Sequence, residues 1–191
     1  MSSAADTFSQ SILDAENLLQ HFNALNSQPP PPETEVLKRA GLIMAMTAWE
    51  TYVEDRLEEA ATERLRTVTE PSVVAYMQAR LKEEIGRLHN PTSQKTLQLF
   101  RDFAGVDLAP GWGWNQFDPK TVRSRLDGYM KLRGDVVHRS RSVIPGPPTA
   151  HPVRKEDLEK AISFLKHLVA ATEKALRDGM LPNPPAGRTG G

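Results

Sequence analysis

The chain has 191 residues, enough for one domain with a core of its own and too few for two of ordinary size. Its 24 basic and 24 acidic side chains cancel, so no global field draws it to nucleic acid or to an anionic membrane, and any such attraction has to be local. Cysteine is absent, which excludes disulfides, thiolate metal sites, iron–sulfur clusters and cysteine nucleophiles.

The start, MSSAADTFSQ, has neither the basic cluster nor the apolar core of a signal peptide. The longest apolar run, Ala40 to Met46, falls far short of the roughly 20 residues that span a bilayer, so a soluble cytoplasmic protein without a membrane partner is expected. Phe8, Ile12, Ala15, Leu19 and Phe22 recur at steps of three and four, the mark of an amphipathic helix. Pro29 to Pro32 forbids helix and imposes an extended spacer. Residues 1–28 are therefore read as a separately hinged helix ahead of a helical domain over 33–178.

That domain opens with the longest helical pattern, about Glu33 to Thr67, whose stripe of Leu42, Met46, Trp49, Val53, Leu57 and Ala60 marks it as the spine of the core. Glu70-Pro71 is a restart, since proline suits the first helical position, and Val74, Met77, Leu81, Ile85 and Leu88 follow until His89-Asn90-Pro91 stops the helix. Thr92 can cap a short helix bearing Leu97, Phe100 and Phe103, closed by Gly105. GVDLAPGWGWNQFD then shows neither period and is a loop, in which Trp112 and Trp114 plug the core more readily than they stack on bases. Asp118-Pro119 starts the next helix, with Val122, Leu126 and Tyr129 on one stripe. After a loop from about Ser140 to Pro152, Leu158, Ile162, Leu165, Val169, Thr172 and Leu176 define the last helix, and residues 179–191, rich in proline and glycine, form an unfolded tail. No run alternates with period two, so the fold class is all-α, a bundle of four to six helices.

One further helical step along the stripe of Val122, Leu126 and Tyr129 lands on Arg133, where the pattern asks for an apolar side chain. A half-buried guanidinium needs a carboxylate, a ligand anion or a partner subunit, and a structural ion pair with Glu50 or Glu54 is the plain alternative to a functional role. His138 follows five residues later. Between Lys120 and Lys155 there are nine lysines and arginines against only Asp127 and Asp135, a local positive patch. Conversely, Glu50 to Glu63 holds six acidic residues and one arginine. His21, His89, His151 and His167 show no ligand spacing, so neither a metal nor another cofactor is expected.

An arginine, four residues and a histidine, late in a helix that follows a long early helix containing AWETYVEDRL, resemble the HEPN superfamily and most of all its RiboL-PSP-HEPN branch. The resemblance covers roughly Val36 to Leu176. It implies a helical domain that dimerises through its motif helices and often acts as a metal-independent endoribonuclease, with Arg133, His138 and Glu50 at the catalytic positions. A toxin or defence role, with an antitoxin or other protein partner, belongs to the same expectation. The positive patch separately makes Lys131, Arg125, Arg139 and Arg141 available to RNA phosphates. The family usually carries a polar residue, often asparagine, directly after the arginine, and here that position is Gly134, which can loosen or kink the helix. A non-catalytic module that binds RNA or nucleotide, or scaffolds a complex, is the alternative reading.

On a straight helix a five-residue step sets Arg133 and His138 about 140° apart, so two motif helices facing each other across a two-fold axis converge them better than one does. The residue types suit the chemistry. Histidine titrates near neutrality and can move a proton, while arginine stays charged and offers phosphate a planar fork of donors.

Overall fold

The computed structural model describes residues 2–25, 27, 31, 34–115, 117–139 and 153–180, with His138 and Arg139 described by their helical backbone alone. The described residues form six α-helices and no strand: α1 (Ser3–Leu25), α2 (Glu35–Leu65), α3 (Pro71–Gly86), α4 (Ser93–Ala104), α5 (Pro119–Arg139) and α6 (Lys155–Met180), with a 3-10 turn at Ala109–Gly111. The fold class is the all-α bundle expected.

The local signals act where the sequence puts them. Glu70 caps α3 ahead of Pro71, and the Thr92 hydroxyl accepts the Lys95 amide at the head of α4. Gly105 closes α4 at φ +68°, a left-handed conformation that glycine adopts without steric cost. Asp118 accepts the Thr121 amide at 2.6 Å at the start of α5.

α2 is the spine, packed against α1, α4, α5 and α6, and its predicted stripe from Leu42 to Ala60 is fully buried. The loop before α5 drives Trp112 into the middle, edge-on to Trp49 at 6.3 Å, so for Trp112 the plug reading holds. Both indoles find acceptors: Trp49 Nε1 donates to the Pro91 carbonyl at 3.3 Å and Trp112 Nε1 to Thr172 Oγ1 at 3.0 Å.

Two readings are corrected. The N-terminal helix is no separate hinged element: α1 lies along α2 and touches α6, and Ala4, Ala5, Phe8, Ile12, Ala15 and Phe22 are buried in the common core. Its apolar stripe has to be covered, and α2 covers it. The tail does not begin at Gly179, because α6 runs on to Met180. Gly179 marks a close approach instead, since a Cβ there would meet Val106 Cγ1 at 2.6 Å. Most of the proline spacer, the loop 140–152 and residues 181–191 lie outside the described residues.

A buried polar knot ties α6 to α2 and to Ser2, the residue just ahead of α1. Glu173 Oε1 of α6 accepts from Ser2 Oγ, Tyr52 Oη and Arg56 Nε, each at 2.9 Å. Burial, reinforced by the Glu173 carboxylate, pushes the Tyr52 phenol well above its usual range, so it stays a donor. Arg56, the lone cation of the acidic run, is thereby committed to the interior.

Candidate functional site

Arg133 follows the buried Met130 on α5 and reaches back to α2, where its Nη2 lies 3.2 Å from Glu50 Oε2. Its Nη1 donates to the His89 carbonyl at 3.5 Å. The two charged side chains are 24% and 15% exposed, so the pair is mostly withdrawn from water yet open on one side. Arg133 Nε is buried and has no hydrogen-bond partner among the described residues. The guanidinium is thus held by two fixed acceptors on its terminal nitrogens, and its plane is set by the bundle.

Glu54 stands one turn beyond Glu50 on α2. Burial raises the Glu50 carboxyl above its ordinary 4.5, against the opposing pull of Arg133 and then of His89. Burial likewise raises Glu54, helped by the like charges of Glu50 and Asp55. The charge of His89 acts in the lowering direction on both carboxyls, and its carbonyl is the second acceptor of Arg133.

His89 is the residue that spacing did not reveal. It shows no ligand spacing, and with Asn90 and Pro91 it reads along the chain only as a helix stop. The bond from Trp49 to Pro91 supplies the missing link, because it pins the α3–α4 connection to α2 beside Glu50 and brings His89 with it. No periodicity along one segment reports such a long-range anchor.

The other candidates scatter. Lys131 is exposed and, two residues before Arg133, points about 200° around α5. Arg125 lies over the Phe117 ring at 4.5 Å and belongs to a different cleft. His138 and Arg139 are in the last turn of α5, with side chains outside the description, and Arg141 lies outside the described residues. Asp127 is no free counter-charge in the basic segment: its two oxygens accept the amide and hydroxyl of Ser93, both at 2.8 Å, and anchor the start of α4. Among the described residues no three His, Asp or Glu side chains gather as a metal-binding group.

The raised Glu50 carboxyl separates two meanings of its bridge to Arg133. A raised folded pKa means that the folded chain holds the proton more tightly than the unfolded one. Glu50's contribution to stability therefore declines as pH rises from 4.5 through the raised value. Glu50→Gln is expected to be at least as stable as wild type at neutral pH and to flatten that part of the pH profile, measured by urea unfolding from acid to neutral pH. A loss above about 1 kcal/mol, the size of one net hydrogen bond, would mean that the bridge serves stability.

Gly134 does not break α5, which runs unbroken to Arg139. A Cβ at this position would meet nothing within 4 Å. Gly134→Ala is accordingly expected to stabilise the fold by about 1 kcal/mol in the same unfolding assay.

A family model described as RiboL-PSP-HEPN matches residues 10–178. The match begins inside α1, so most of the helix that the resemblance had left out lies within the matched region. No curated protein and no solved structure gives a significant match.

Proposed function

The chain belongs to the RiboL-PSP-HEPN family, and from that membership we propose that it is a metal-independent endoribonuclease, a toxin or defence component acting at a cleft completed by a second copy of the chain. The Arg133–Glu50 ion pair is also what a purely structural role would give, and the observation that carries the proposal is that the pair leaves the guanidinium half-open at the motif position, beside a carboxylate whose own burial is unfavourable.

In the proposed reaction the RNA 2′-oxygen attacks the adjacent phosphorus while the bond from phosphorus to the 5′-oxygen breaks, leaving a 2′,3′-cyclic phosphate and a 5′-hydroxyl. One proton leaves the 2′-hydroxyl and one reaches the departing 5′-oxygen. His138 moves a proton, since imidazole titrates near neutral pH. Arg133 offsets the charge that builds on the phosphorane oxygens, and Glu50 orients Arg133 without touching the substrate. The angle between positions 133 and 138 on α5 is what calls for the partner copy, whose motif helix would bring the complementary side chain into the same cleft.

The test is incubation of purified protein with mixed RNAs in EDTA, with end-group analysis of the products and the mass in solution from light scattering. Cyclic phosphate ends and a dimer mass support the proposal. The second reading, a non-catalytic module that binds RNA or scaffolds a partner, draws on Gly134 in place of the family's polar residue. It prevails if wild type and Gly134→Asn both bind RNA and neither cuts it.

A further inference from the structure

The loop ahead of α5 carries a second aromatic residue that the plug role leaves unexplained. Trp112 fills the core completely, whereas Trp114 is half-buried on the far side of the loop. Trp114 and Phe117 pair tightly across a chain reversal: the Trp114 amide donates to the Phe117 carbonyl at 3.0 Å and the Phe117 amide to the Trp114 carbonyl at 2.8 Å. Asn115, between them, sits at φ +48°, in the left-handed region that asparagine tolerates better than most side chains. The clip holds the two rings 5.8 Å apart and lays Trp114 on α6. There Trp114 packs on Phe164 at 5.5 Å and lies almost parallel to the His167 imidazole, at 5.8 Å and 13°.

These rings floor an open cleft of about 430 Å³, within the range of small-molecule sites. Its rim is basic. Arg125 stands over the Phe117 face and Lys160 faces it from α6, both exposed. Among the described residues neither has a carboxylate within ion-pair distance, while Glu159, the acidic residue on the rim, is engaged by Lys155 at 3.7 Å. An aromatic floor beside two exposed cations that lack a carboxylate partner among the described residues, of which Arg125 also hydrogen-bonds the Tyr129 phenol, suits a flat, π-faced group joined to an anion.

We propose that this cleft is a nucleotide subsite, in which a base stacks on Trp114 and its phosphate meets Arg125 and Lys160. The subsite rests on the reading of the chain as an RNA-acting protein and extends it. Arg125 precedes Arg133 by eight residues on α5, about 12 Å along the axis, so a strand with one phosphate at Arg133 can lay a neighbouring base in the cleft. Base stacking on an aromatic platform tolerates any sequence, and the subsite therefore selects for an unpaired strand rather than for a particular base.

Intrinsic fluorescence tests this directly. Trp49 and Trp112 are fully buried, so quenching by a stacked ligand reports on Trp114. The probes are adenosine monophosphate and a 2′-O-methyl RNA of about ten nucleotides, within the range of known single-strand sites and unable to undergo cleavage. Saturable quenching is expected, absent in Trp114→Phe, with affinity lowered about 5- to 150-fold in Trp114→Ala. Because Trp114→Ala also removes packing on Phe164, the exposed charge reversals Arg125→Glu and Lys160→Glu give an independent arm, each expected to weaken binding about tenfold at low salt. Quenching by both probes means the cleft also takes free nucleotide, and quenching by the oligonucleotide alone means it takes a strand. Either supports the subsite. Oligonucleotide binding seen by anisotropy without quenching overturns it, as does failure of both probes to bind. Cleavage of unmodified RNA is assayed in parallel, so that cleavage without quenching removes the subsite and leaves the ribonuclease reading standing, and quenching without cleavage does the reverse.

Discussion

His138→Ala is expected to lower RNA cleavage by a factor of about 10² to 10⁴ while leaving RNA affinity nearly unchanged. The split follows from its proposed task, because a proton carrier acts only as bonds rearrange, so its removal falls on kcat and spares binding. Arg133→Ala is expected to fail on both counts, since a guanidinium attracts phosphate in the ground state as well as in the transition state. Glu50 would then be left buried without its counter-charge, and Arg133→Lys separates that effect from lost catalysis: it keeps the charge but not the planar fork. Single-turnover cleavage and filter binding of all three variants in EDTA measure the contrast. Equal losses of binding and turnover in His138→Ala would remove it from proton transfer. Full activity in that variant would end the catalytic reading altogether.

Glu173→Ala is expected to destabilise the fold by about 3–5 kcal/mol, the usual cost of leaving one charge of a buried pair behind. Three donors, two from α2 and one from Ser2, converge on its Oε1, and Arg56 is only 7% exposed. Glu59, 3.7 Å from Arg56 Nη1, remains as a poor substitute and holds the loss toward the lower end. For a domain of this size the change corresponds to a fall in melting temperature of about 6 to 20 °C. Glu173→Gln, which keeps an acceptor oxygen, is expected to lose less. A melting temperature unchanged in Glu173→Ala would show that the knot adds nothing to the bundle.

Helices, caps and core stripes were legible because each is a local matter of period and end chemistry: Leu42 to Ala60, Gly105, and Asp118 with Pro119 all sit as the sequence reading has them. Arg133 was legible for the opposite reason, as a break in a period, and Glu50 is one of the two ion-pair partners, with Glu54, that a half-buried guanidinium there calls for. What escaped depends on tertiary closure. Nothing along the chain says that α1 folds back on α2, since a proline spacer is compatible with either a hinge or a reversal. Nothing says that Trp49 takes the Pro91 carbonyl and carries His89 to Glu50. Arg125 was grouped with Arg133 by counting charges in a segment, whereas a step of eight residues turns it toward the aromatic clip.

α3 is packed differently from its neighbours. Leu81 is the one side chain among its sixteen residues to be fully buried, Val73 and Tyr76 are 45% and 64% exposed, and α2 is the helix it touches appreciably. Little apolar surface holds it down, so its free energy of opening lies well below that of the whole domain. In hydrogen exchange the amides of α3 are expected to label long before those of α2 and α6, as one unit. The carbonyl that receives Arg133 comes three residues after that helix ends, where the Trp49–Pro91 bond holds the connection to α2. α3 is therefore expected to open while the acceptor that orients the guanidinium stays in place, on a clock slower than side-chain rotation and faster than unfolding.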